Sequence, residues 1–138
     1  MFGELWKKQE IPDYVGLLHE SGDFYDFENH QLRKAPLVVD EDSEPESVTI
    51  YDRCSLYNSP LEVLCGEGLS FGSNGFVLLL NTETSTPIWS FFSSQTNPFN
   101  KLIDTGQYIV SISTSGTIFR FRVPNLNEPL KEVFLSIP

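Results

Sequence analysis

Gly66-Glu67-Gly68-Leu69-Ser70-Phe71-Gly72 is the stretch that comes nearest to a phosphate-binding loop. A dinucleotide fingerprint sets three glycines in a fixed spacing and follows them with a helix whose N-terminus faces the pyrophosphate. Here the last glycine falls one position late and strand-forming residues follow, so these glycines read as turn residues. Asp40, Asp42 and Glu44 alternate as in a calcium loop, but Pro45 stands where the sharp-turn glycine belongs and Tyr51 where the bidentate glutamate belongs. His19 and His30 combine with Cys54 and Cys65 in no familiar zinc spacing. No G-x-S-x-G elbow frames a serine, and no apolar pocket is expected to push a carboxyl group into an acid–base role. The sequence therefore predicts no catalytic residue, no metal ligand and no cofactor.

The chemistry it does favour is binding. The 138 residues carry 9 bases against 19 acids, a net charge of −10. That balance argues against nucleic-acid phosphate, which a basic face normally attracts. The charge is uneven: residues 1–67 hold 15 acids and five bases, whereas residues 68–138 hold four of each. One domain over residues 1–138 is expected, with an acidic helix, loop and strand portion (1–67) and a neutral β-hairpin portion (68–138). Within the acidic portion, Phe24 and Tyr25 interleave with Asp23, Asp26 and Glu28, and Asp40, Asp42 and Glu44 follow in the run DEDSEPE. Carboxylates of this kind steer a basic protein partner while the rings supply contact area. These eight residues are the candidate partner-binding set. No apolar run reaches the roughly 20 residues of a membrane span, no leader precedes the first charges, and neither cysteine belongs to a C-x-x-C pair. A cytoplasmic protein that contacts no membrane is the expectation.

The elements that must position those residues are mostly strands. One short helix is expected from Pro12, with Tyr14, Leu17 and Leu18 at i, i+3 and i+4 and Gly22 as its stop. Leu37-Val38-Val39 reads as a first strand, and the proline-containing acid run from Asp40 to Glu46 as an exposed loop. Strands are then expected at Val48–Tyr51, Leu61–Cys65, Phe76–Leu80, Ile88–Phe92, Tyr108–Ile112, Thr117–Val123 and Val133–Leu135. The unbroken run Phe76-Val77-Leu78-Leu79-Leu80 suits a strand covered on both faces. In the 117–123 segment Phe119, Phe121 and Val123 alternate with Arg120 and Arg122, as in a strand with one face in water.

Residues 73–80 align with 114–121 at an offset of 41, and Pro87–Phe92 with Pro129–Phe134 at an offset of 42. Each copy reads turn, strand, polar hairpin, strand, and the first resembles a blade of the pyrroloquinoline-quinone type propeller. Two copies are too few for a closed propeller. The expected fold is therefore mainly β, an antiparallel meander in which two repeated hairpins and the preceding strands share one sheet, with the short helix beside it. Ile11-Pro12-Asp13-Tyr14, Leu17-Leu18 and Gly22 are also similar to the helical opening of the SUKH superfamily of bacterial immunity proteins. Phe71–Phe76, Leu78–Thr84 and Asn97-Pro98-Phe99 look like that family's central strands and following loop. This resemblance implies an α+β alternative for the fold and a non-catalytic binder that neutralises a toxin such as a nuclease. A structural β-module, assembled edge to edge into a larger propeller-like or oligomeric body, is the competing expectation.

Overall fold

Phe76, Val77, Leu78 and Leu79 have no exposed surface, the outcome expected of an apolar run without polar alternation. Most of the residues that the structure describes, this run included, lie in strands. The structure, a computed structural model, describes residues 6, 10–11, 16–28, 31–36, 46–56, 59–68, 75–93, 98–122 and 133–136. Its strands are β1 (Glu10–Ile11), β2 (Gly16–His19), β3 (Phe24–Glu28), β4 (Gln31–Ala35), β5 (Glu46–Ser55) and β6 (Leu61–Gly68), then β7 (Gly75–Asn81), β8 (Thr86–Ser93), β9 (Phe99–Asp104), β10 (Tyr108–Ser113), β11 (Ile118–Arg122) and β12 (Val133–Ser136). They form an eight-stranded sheet, in the order β1-β5-β6-β7-β8-β2-β3-β4, and a four-stranded sheet, in the order β12-β11-β10-β9. Every pairing is antiparallel. The mainly β expectation, rather than the α+β alternative, describes these residues.

Strand parity explains how the layers stack. Val77, Leu79, Trp89 and Phe91 of the large sheet join Phe99, Ile109, Phe119 and Phe121 of the small one in a single buried cluster. The Trp89 ring stacks on Phe121 with centroids 5.2 Å apart, and Phe91 meets Phe119 at 5.1 Å. Such aromatic pairs add to the stabilisation from buried area. The alternate residues Leu64, Phe76, Leu78 and Phe92 point the other way, into a second cluster with Leu18, Phe24 and Trp6. Trp6, the one helical residue described, sets its ring edge-on to Phe76 at 6.1 Å. The central strands are thus buried on both sides.

A side chain ties the two sheets together. The β5–β6 register shifts between Ile50 and Asp52, a bulge that re-aims the chain. Asp52 Oδ2 accepts the backbone N–H of Leu102 on β9 at 2.9 Å, while Oδ1 accepts that of Arg53 at 2.9 Å. β9 is an edge strand, so Asp52 occupies a donor that would otherwise invite another chain.

Three sequence expectations need correction. Leu17 and Leu18, read as helical, lie in β2, which pairs with β8 from Gly16↔Phe92 to His19↔Trp89. Gly22 does mark a stop, but of a hairpin: its φ is 93° and its N–H donates to the His19 carbonyl at 2.9 Å. A positive φ serves a helix end and a hairpin alike, so the glycine could not tell them apart. Residues 12–15 lie outside those described, as do Leu37–Val39. Second, the repeated hairpins do not share one sheet. β7–β8 and β11–β12 are the last two strands of two consecutive meanders, β5–β8 and β9–β12, in opposite sheets. Third, Gly66 and Gly68 are strand residues rather than turn residues. A Cβ on Gly66 would stand 1.9 Å from the Thr49 carbonyl oxygen. Close backbone approach at the bulge excludes a side chain there.

Candidate functional site

The β2–β3–β4 edge carries the first half of the candidate set. Its local logic is a hairpin: His19 N–H donates to the Asp23 carbonyl at 2.9 Å, and β3 then pairs with β4 from Phe24↔Ala35 to Glu28↔Gln31. Alternation along β3 separates the aromatic residues that the sequence grouped. Phe24 is 5% exposed and belongs to the second cluster, so it offers no ring to a partner, contrary to its expected role as an anchor. Its ring lies over Gly16, 2.6 Å from where a Cβ would be, and Gly16 has φ 137°. Tyr25 is half-buried against the first cluster, with its ring edge-on to His19 at 5.5 Å.

Two of the acids at this edge face a base. Asp23 is exposed and pairs with Lys34 Nζ at 3.5 Å. Asp26 stands opposite Arg33 and Tyr25 opposite Lys34 in the register. Opposed charges across strands stabilise by about 0.2–1 kcal/mol each, and exposed pairs sit at the low end. Glu28 closes β3 opposite Gln31. Asp40, Asp42 and Glu44 lie outside the described residues. The structure therefore brings Asp23, Tyr25 and Asp26 to one edge and removes Phe24 from it.

Other acids of this half do structural work. Asp52 ties β5 to β9, Glu62 Oε1 accepts from Arg53 at 2.9 Å, and Glu67 Oε1 accepts the Tyr51 hydroxyl at 2.7 Å. Sequence reasoning missed these roles because each depends on a register or a cross-sheet contact. Cys54 and Cys65 are both free thiols. Among the described residues, no three of His, Cys, Asp and Glu gather as a metal set. Among them, too, no helix is long and apolar enough to cross a membrane.

Charge divides between the sheets. Among the described residues, positions 10–93 hold ten acids and three bases, while positions 98–136 hold one acid and three bases. Among the described residues, the fold is a two-sheet antiparallel β protein whose acidic excess lies with the larger sheet. The chain matches no family model, no curated protein and no solved structure.

Proposed function

We propose that the protein acts by binding rather than catalysis, its acidic half seating on a basic protein surface. The substrate groove of a nuclease toxin is such a surface, and the protein would neutralise it in the manner of an immunity protein. The segregation of charge by sheet carries this reading. A field of one sign on one layer raises the encounter rate with an oppositely charged partner and orients the approach. Asp23 and Asp26 face Lys34 and Arg33, so of the candidate acids we assign the steering mainly to Asp40, Asp42 and Glu44. A cytoplasmic setting goes with this role, and two free thiols are compatible with it.

The structural-module reading has less support. Trp89, whose hairpin an assembly would have to bury, is 2% exposed within the single chain. The Leu102 N–H on edge strand β9 is already taken by Asp52. Light scattering should accordingly find the protein alone as a monomer; a fixed oligomer would favour the module. The decisive experiment is co-expression with the product of the gene beside its own. Growth arrest by that product, relieved by this chain as a one-to-one complex, is the expected result. A toxic neighbour that the folded protein neither binds nor relieves would overturn the proposal.

A further inference from the structure

The outer face of the four-stranded sheet is laid out by register. Phe119 and Phe121 point into the core, which turns Arg120 and Arg122 outward. On β10, Tyr108 stands opposite Arg122 and Val110 opposite Arg120; on β9, Ile103 stands opposite Val110 and Lys101 opposite Ile112. Directly opposed residues have Cβ atoms about 4.5–5.5 Å apart, so these side chains form one continuous patch. The Arg120 and Arg122 guanidinium carbons lie 5.0 and 5.8 Å from the centre of the Tyr108 ring. That ring attracts both cations and holds two like charges side by side.

Two features distinguish this patch from an ordinary solvated face. Lys101 and Arg122 are exposed and make no ion pair among the described residues. Asp104, the one acid described in this sheet, pairs in register with buried Ile109, and its Oδ1 accepts the Gly106 N–H at 2.8 Å. Its carboxylate is committed to the β9–β10 turn. The patch is also apolar: Val110 and Ile112 on β10 lie at its centre, and Ile103 on edge strand β9 is 40% exposed, one of two exposed large hydrophobic residues among those described. At its end a cleft of ≈ 330 Å³ opens beside Arg122, lined by Gly106, Gln107 and Tyr108. In a chain of net charge −10, solubility alone does not call for a cationic, aliphatic face.

We infer that this face docks an acidic, aliphatic polypeptide segment of a partner protein. The segment's branched side chains lie on Ile103, Val110 and Ile112. Its carboxylates meet Lys101, and Arg122 takes one carboxylate in two-pronged fashion at the cleft. Charge complementarity selects an acidic occupant. The apolar centre and the small number of cations favour a polypeptide over nucleic acid, whose binding rests on many phosphate contacts. This surface lies on the layer opposite to the acidic one, so its failure would leave the proposed basic partner untouched.

The test titrates the isotope-labelled full chain with a synthetic peptide of alternating Glu and Val, and separately with a single-stranded DNA oligonucleotide, followed by amide chemical shifts. Peptide-induced shifts should map to β9, β10 and β11, and the affinity should fall at least about tenfold in the double variant Lys101→Glu/Arg122→Glu. The milder Arg122→Gln should lose a smaller factor, and its unchanged spectral dispersion will show that the fold is intact. Absence of peptide binding, shifts confined to other strands, or equal affinity in a folded reversed variant would overturn the inference. So would an oligonucleotide that binds this face as tightly as the peptide.

Discussion

Cys65 shows how burial sets chemistry at a single residue. It has no exposed surface, and burial pushes its thiol from the ordinary 9.0 up to about 12, with the Asp52 carboxylate adding in the same direction. Its neighbour Cys54 is raised as well, first by burial and then by Asp104, Asp52 and Glu62. A thiol that keeps its proton in the fold after the unfolded chain has released it favours folding only while both states are protonated. The Cys65 contribution is therefore whole below about pH 9 and is lost as pH rises from there toward about 12. Because the thiolate is the nucleophile, iodoacetamide at pH 8 should modify half-buried Cys54 first. Cys65 should react only as fast as the protein unfolds, a rate that peptide mapping over time will measure. Rapid labelling of Cys65 in the folded protein would contradict this.

At the scale of elements, Asp52 matters more than any other acid described. Replacing it with Ala leaves the Leu102 N–H unpaired at the contact between β5 and β9, a loss of about 1–3 kcal/mol. Asn keeps an acceptor oxygen and should recover part of that loss, and urea denaturation of both variants will show whether it does. Nothing local in the sequence around Asp52 announces this role, since its partner lies fifty residues away. Elsewhere the strands were legible where one face or both are buried without interruption, as in Phe76–Leu80 and in Phe119 and Phe121 against Arg120 and Arg122. β9 was not, because its inward residues Phe99 and Leu102 are three apart; the register shift beside Ser113 breaks the two-residue period. β2 looked helical because Leu17 and Leu18 fit both periods over so short a span. Its pairing with β8 and the packing of Phe24 over Gly16 decided the matter, and both are long-range effects that propensity does not record. The candidate site suffered likewise: the aromatic–acidic segment was visible, but not that its strand buries Phe24 and sets Asp26 opposite Arg33.

For the whole molecule, the central claim is that unbalanced acids steer a basic partner while the double-faced core only maintains the fold. Leu79→Ala removes a side chain with no exposed surface; it should cost about 2–5 kcal/mol of stability and leave binding by the folded fraction unchanged. Steering predicts the opposite pattern for Asp40, Asp42 and Glu44: reversal to lysine slows association and leaves the unfolding curve in place. Reversing Asp23 and Asp26, which face Lys34 and Arg33, should slow it less. Salt acts on the same charges, because the screening length shrinks from roughly 14 to 4 Å between about 0.05 and 0.5 M. The most direct measurement is the stopped-flow association rate with the basic partner across that salt range, for the native chain and the triple reversal. The account predicts a native rate that falls steeply with salt and a reversal that is slow at low salt. Equal rates for the two proteins at low salt would contradict it.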